Sequence, residues 1–104
     1  MSRELYAASM TIRAFTDPET ERIWNGERSR KLPSDIQEIA RRKLRMINRA
    51  KVPGDLRVPP GNRFEELKGK RKGTYSIRIN DQWRICFTWA DGDADNVRIE
   101  DYHD

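Results

Sequence analysis

Hydrophobic periodicity along this chain specifies an α+β domain in which a short strand and two helices precede a C-terminal antiparallel sheet. Two observations carry that expectation: two stretches of helical spacing with capping signals between residues 16 and 50, and three later runs with apolar residues at every second position. A chain of 104 residues with 36% hydrophobic content can bury one small core but not two.

Residues 1–9 carry weak patterning and read as an extension before a domain spanning 10–104. Thr11-Ile12-Arg13-Ala14-Phe15 reads as the first strand. Thr16-Asp17-Pro18-Glu19 then joins a capping residue, a first-turn proline and an acid at the positive helix end. The resulting helix should run to about Asn25-Gly26, with Ile23 and Trp24 facing inward. Ser34 with Gln37 three residues on fits a capping box, and Ile36, Ile39, Ala40, Leu44 and Ile47 recur at helical spacing to about Ala50. Arg41, Arg42, Arg45 and Arg49 occupy the opposite face. From Val52 to Asn62, prolines and glycines predict a loop without regular structure.

The sheet is the best-specified part. Tyr75, Ile77 and Ile79 alternate with Ser76, Arg78 and Asn80, and Trp83, Ile85, Phe87 and Trp89 alternate with Arg84, Cys86 and Thr88. If both apolar sets share one face, cross-strand partners have an even index sum, which puts Arg78 opposite Arg84 and requires an odd-length turn or a bulge. Two facing arginines need an acidic or anionic partner, for which Glu100 on the next strand or a bound phosphate are the candidates. Val97 and Ile99 supply the last strand, ending near Tyr102.

The balance of 21 Lys and Arg against 17 Asp and Glu gives a net charge of +4, and the cations are bunched. Arg41, Arg42, Lys43, Arg45, Arg49 and Lys51 form one run, and Lys68, Lys70, Arg71, Lys72 and Arg78 another. Such clusters suit a polyphosphate backbone, although a solvated surface gives the same composition. One cysteine and one histidine exclude an internal disulfide, a multi-cysteine zinc site and a histidine pair, so neither metal nor cofactor is expected. No apolar run approaches the roughly 18 residues of a membrane span, and the N-terminus lacks a signal-peptide core, which leads us to expect a cytoplasmic protein.

RNA can be cut without a metal by turning its own 2′-hydroxyl on the adjacent phosphorus, given cations for the phosphorane and groups to move protons. Lys68, Arg84, Tyr102 and His103, the only histidine, are the candidates. Arg84 can hold two phosphate oxygens with its planar fork, or form a salt bridge to Glu100. Truncation to alanine is expected to leave the fold intact. Lys68 can hold phosphate or accept the 2′ proton. Tyr102 can stack on a base or close the sheet. His103 has a pKa suited to proton transfer, and Asp101 either orients it or balances charge. Nothing in sequence makes Cys86 a nucleophile.

Pro59-Pro60-Gly61-Asn62-Arg63 leading into Leu67-Lys68-Gly69, the stretch from Gly73 through Trp83-Arg84-Ile85-Cys86-Phe87, and the closing Asp101-Tyr102-His103 give this chain its family likeness. From Met10 onward it resembles toxins of the RelE/ParE superfamily, and most closely the HigB branch of plasmid-maintenance killer proteins. The resemblance implies a RelE-like single domain with a curved C-terminal sheet. It also implies a ribosome-dependent endoribonuclease that cuts messenger in the A site, a monomer silenced in a larger complex by a HigA-like helix-turn-helix antitoxin dimer. By position, Lys68, Arg84, Tyr102 and His103 match residues that act in HigB-type catalysis, with Asp101 beside them. Glu65, Arg78, Asp101, Lys70, Arg71, Lys72, Arg41 and Arg45 are the expected RNA contacts. Where some members carry a histidine ahead of the Leu-Lys-Gly motif, this chain has Glu65, so Glu65 or His103 must move the proton or activity is reduced. The same fold also serves ParE-type inhibitors of DNA gyrase and inactive binding members, which remain the alternatives.

Overall fold

Asp17 starts the first helix of the computed structural model, which describes residues 11–102. The expected extension 1–9, Met10, His103 and Asp104 lie outside the described residues. The Asp17 carboxylate accepts the Glu19 amide at 3.1 Å, Pro18 occupies the first turn, and α1 spans Pro18–Trp24. Ile23 is fully buried, and Trp24 packs its ring against Phe15 at the edge of the core. Helix α2 spans Ser34–Arg49 and buries Ile36, Ala40, Leu44 and Ile47, one stripe of its surface.

The capping box expected at Ser34 is not formed. Pro33 precedes the first turn with no side-chain cap, and Gln37 reaches back to the preceding loop instead. Its carboxamide accepts the Ser29 amide at 3.0 Å and donates to the carbonyls of Ser29 and Leu32, both at 2.9 Å. The loop 52–62 is also more ordered than its prolines suggested, folding into two 3-10 turns at Pro53–Arg57 and Pro60–Asn62. Proline is well suited to the first turn of such segments, where its missing N–H has no partner to lose.

The sheet follows the chain in order, with β1 (Glu65–Glu66), β2 (Thr74–Arg78), β3 (Trp83–Ala90) and β4 (Asp93–Asp101) all antiparallel. Arg78 pairs with Arg84, as the even-sum argument required, around the three-residue loop Asn80-Asp81-Gln82 closed by the Ile79 amide on the Trp83 carbonyl. The β3–β4 turn uses Asp91 and Gly92, both at positive φ, the geometry whose twist matches a two-residue hairpin. A bulge shifts the β3–β4 register between Cys86 and Thr88 and places Asn96 at φ 53°.

That bulge explains why the expected N-terminal strand is not continuous. Residues 11–16 run parallel to β4 but meet it only at two bridges, Ile12 with Ala94 and Phe15 with Val97. The Thr11 and Ile12 amides donate to Asn48 Oδ1 at 3.1 and 3.0 Å, tying this segment to the end of α2. Helix α1 packs on α2 and β4, α2 packs on β3, and their apolar stripes meet Ile77, Ile85, Phe87 and Val97 in one core. The opposite face of the sheet is left for polar chemistry. Among the described residues no helix is long and apolar enough to cross a membrane.

The outer edge of β4 is closed by neighbours rather than by a full strand. On that edge Ile99 N–H donates to the buried hydroxyl of Thr20 at 2.9 Å, and that hydroxyl donates to Asp17 at 2.6 Å. Thr20→Val keeps the shape but strands both groups, so we expect a loss of about 1–3 kcal/mol in urea denaturation. Thr20→Ser should retain most of the stability. Equal stability of the valine variant and wild type would show that this link does not hold the helix to the sheet.

Candidate active site

Strand alternation places Ser76, Arg78, Arg84, Cys86, Arg98 and Glu100 on the face of the sheet turned away from the helices. Arg84 is only 7% exposed, so its guanidinium must find acceptors within the protein. Nε donates to Ser76 Oγ at 2.8 Å, and Nη2 donates to the carbonyls of Arg63 at 2.6 Å and Ser76 at 3.3 Å. Glu65 lies 3.6 Å from Nη2, and the guanidinium carbon sits 5.2 Å from the centre of the Tyr102 ring. Tyr102 Oη is in turn 3.4 Å from Glu65 Oε1. Nη1 has no hydrogen-bond partner among the described residues.

The groove over this group holds about 280 Å³ and is lined by Arg63, Arg78, Asn80, Asp81, Arg84 and Tyr102. Three guanidinium groups in one open groove can hold a phosphodiester, and the aromatic ring offers a stacking surface. Arg78 is paired with Asp81 from the adjoining turn. Lys43, half-buried on α2, donates to the buried Asn62 side chain. Burial, with Arg78 and Arg42 close by, lowers its pKa.

Glu100 does not take up the Arg78–Arg84 charge, although it pairs with Arg84 in register. Its carboxylate accepts both ends of the Arg71 fork, at 2.9 and 2.6 Å, and Arg98 Nε at 2.7 Å. The salt bridge considered for Arg84 is therefore made by Glu65, and the two facing arginines each use a different acid. Arg71 is carried by the turn Gly69–Arg71, so this ion cluster draws the β1–β2 connection onto the polar face. Cys86 is fully buried beside it, and desolvation, then the Glu100 charge, pushes its thiol up to about 11. A thiol at that value is protonated near neutrality and is no nucleophile.

The other expected site residues are distributed more widely. Lys68 is exposed and lines a second depression with Glu66, Leu67, Gly69 and Lys72, none of which lines the Arg84 groove. Lys70 is exposed on the same turn. Asp101 accepts from Gln82 Nε2 at 3.1 Å, and His103 lies outside the described residues. Arg41 donates to the Ile23 carbonyl at 2.9 Å and pairs with Glu38, which fastens α2 to the end of α1, whereas Arg45 is exposed. Two further residues belong to the site. Ser76 is visible in sequence as the small polar residue on the Arg84 face, but Arg63, whose left-handed backbone (φ 46°) aims its carbonyl at Arg84, carries no local signal.

Burial raises the pKa of the Glu100 carboxyl, but the hydrogen bonds from Arg71 and Arg98 outweigh it and hold it below the ordinary glutamate range. A carboxyl lowered on folding stabilises the protein above its unfolded pKa of about 4.3, and that contribution disappears as pH falls through the lower folded value. The stability gap between wild type and Glu100→Gln in urea titrations should thus be constant from pH 7 to about 5 and close below about pH 4. A gap that persists unchanged into acid would mean that the carboxylate charge does not hold the cluster.

A family model described as RelE-like toxin of type II toxin-antitoxin system HigB matches residues 13–103. Toxin HigB-1 of Vibrio cholerae serotype O1 is 44% identical over 87 residues, 83% of this chain and 92% of that protein. Endoribonuclease HigB of Proteus vulgaris is 44% identical over a shorter stretch of 41 residues, 39% of this chain and 45% of its own. The solved structure of a YoeB/ParE toxin from Agrobacterium tumefaciens covers 90% of this chain and 100% of that one with a TM-score of 0.53. At 16% identity that likeness establishes the shared fold. The chain belongs to the HigB-like family of RelE-like toxins of type II toxin-antitoxin systems.

Proposed function

We propose that this protein is a ribosome-dependent messenger endonuclease of the cytoplasm, the toxin of a type II pair, neutralised by a HigA-like helix-turn-helix antitoxin. The observation that carries the reading is the buried Arg84 guanidinium, fixed by Ser76 and Arg63 and stacked on Tyr102 beside Glu65. The name of the Proteus vulgaris relative, an endoribonuclease, supports the same chemistry.

In this reading the messenger 2′-oxygen attacks the adjacent phosphorus while Glu65 takes its proton. The P–O2′ bond forms as the P–O5′ bond breaks, leaving a 2′,3′-cyclic phosphate and a 5′-hydroxyl. The substrate supplies its own nucleophile, so the step needs no metal. Arg84 stabilises the phosphorane with its charge and its remaining Nη1 donors; the bonds to Ser76 and Arg63 hold the guanidinium in place, so little reorganisation accompanies the reaction. Tyr102 stacks on or hydrogen-bonds the substrate, and His103, with Asp101 beside it, is assigned to protonating the departing 5′-oxygen. Lys68 and Lys72, in the neighbouring depression, and Lys70 on the same turn follow the messenger backbone. Arg78 holds a phosphate oxygen.

The burial of Arg84 dictates which substitution is informative. Alanine there would vacate the space under Tyr102 and leave the Arg63 carbonyl without its donor, so the expectation that truncation spares the fold gives way to a milder substitution. Arg84→Lys keeps the charge but loses the planar fork. In a translation reaction on a defined messenger, wild type should produce ribosome-requiring, codon-positioned cuts mapped by primer extension. The lysine variant, verified as folded by thermal denaturation, should cut about 100-fold more slowly. Cleavage at the wild-type rate would remove Arg84 from the mechanism, and gyrase-dependent DNA damage without messenger cleavage would replace the nuclease reading altogether.

A further inference from the structure

A buried amide side chain stands immediately before the Arg63 carbonyl that receives Arg84 Nη2. Asn62 closes the 3-10 turn Pro60–Asn62 and is fully buried, so its polar atoms must find their partners inside the protein. Its Oδ1 accepts Lys43 Nζ at 2.5 Å, and its Nδ2 donates to the Leu56 carbonyl at 3.1 Å and to Met46 Sδ at 3.8 Å. An ammonium can only donate and a carbonyl can only accept, so these neighbours admit the amide in one orientation. One side chain thereby joins α2, the turn Pro53–Arg57 and the turn Pro60–Asn62. The backbone is closed as well: the Asn62 amide donates to the Pro59 carbonyl and the Arg63 amide to the Pro60 carbonyl, both at 3.0 Å.

We infer that Asn62, held by Lys43, is a positioning residue for Arg84: it fixes the chain from which the Arg63 carbonyl orients the guanidinium, and so acts on the reaction without touching substrate. Only the two Arg63 torsions separate the anchored Asn62 from that carbonyl, and they lie in the left-handed region (φ 46°), which a residue with a side chain enters at a cost. Such a conformation persists only where the surroundings over-determine it. Released from Lys43 and Leu56, the turn can relax toward the ordinary region and swing the carbonyl off Arg84. Lys43 is committed to this contact rather than to solvent. A surface lysine ordinarily keeps its ammonium in water, yet this one meets a neutral oxygen, and burial, with Arg78 and Arg42 close by, lowers its pKa. Lys43 does not line the groove, so its influence on Arg84 passes through Asn62. Any effect on cleavage rests on the nuclease reading, whereas the hold on Arg84 belongs to the free protein.

Nuclear magnetic resonance of the full chain reads that hold without RNA. Arg84 Nε–H, donated to Ser76 Oγ, gives a side-chain signal whose position and protection from exchange with water report on the guanidinium. The Ile99 amide, donated to Thr20, is the reference for general loosening. Asn62→Ala should move the Arg84 signal and reduce its protection by more than that of Ile99. Lys43→Met, which keeps a half-buried stem and removes only the donor, gives the same result and serves alone if the alanine variant does not fold. In the translation reaction Lys43→Met should lower kcat about 10-fold at unchanged KM, because a transition-state group is misplaced while binding is kept. An unmoved Arg84 signal, protection lost equally at Arg84 and Ile99, or cleavage with the wild-type kcat each overturns the inference. A raised KM at unchanged kcat is one such result and would make Lys43 a direct contact to RNA. A wild-type protein that fails to cut ends the nuclease reading instead, and the resonance measurement still decides whether Asn62 holds Arg84.

Discussion

A guanidinium buried on the polar face of a sheet places demands on every element around it. Arg84 cannot shed its charge, so each donor withdrawn from water needs an acceptor or a compensating field. Nε takes the hydroxyl of Ser76, which requires a small polar residue diagonally placed on β2 and therefore the even-sum register around Asn80-Asp81-Gln82. Nη2 takes the Arg63 carbonyl, which requires a left-handed residue at the exit of the 3-10 turn Pro60–Asn62. Glu65 supplies the countercharge, and so β1 must come alongside β2; Tyr102 covers the group, so β4 must run past the β2–β3 turn. Four separate backbone decisions meet at one side chain.

The remaining charges on that face are arranged so that acids are spent locally and the groove stays positive. Asp81 goes to Arg78, Glu100 to Arg71 and Arg98, and Glu65 to Arg84. Partly buried ion clusters of this kind cost desolvation that their attraction roughly offsets, so stability is a weak reason for their presence. What they do accomplish is orientation. Arg71 brings the turn that follows Lys68 down on the sheet, and Arg84 and Arg78 in the groove are held by Ser76, the Arg63 carbonyl and Asp81, with Arg84 Nη1 unused among the described residues. A phosphate arriving there meets directed donors, which is the condition for stabilising a transition state more than a ground state.

Local signals were enough for much of this architecture. The Asp17-Pro18 start, the apolar stripe of α2 and the facing of Arg78 and Arg84 all follow from backbone preference or strict alternation. Side-chain destinations were less legible, because they depend on partners far along the chain. Gln37 had the spacing of a capping box, yet a turn eight residues earlier offered three better partners. Glu100 stood opposite Arg84, but Arg71, 29 residues away in sequence, reached it with a full fork. Arg41 looked like part of a solvated cationic face and instead closes the end of α1 through the Ile23 carbonyl. The strand expected at residues 11–15 failed for a similar reason, since the bulge that interrupts its pairing lies on β4.

The fold alone does not choose between cutting RNA and occluding a protein such as gyrase, so the choice falls on what the polar face can accommodate. A protein partner seated over Arg63, Arg78, Arg84 and Tyr102 would have to strip water from three guanidinium groups and return an equal number of well-placed acids, with little apolar area to gain in exchange. An RNA strand asks for less. Its phosphates are acceptors of matching geometry, its release of condensed counterions favours association, and its bases can lie on the Tyr102 ring. A groove lined by aliphatic side chains, as a protein-docking surface usually is at its centre, would favour the opposite choice. Here Ile77, Ile85, Val97 and Ile99 pack in the core with the helices, and the groove on the open face is lined by polar and charged side chains with the Tyr102 ring.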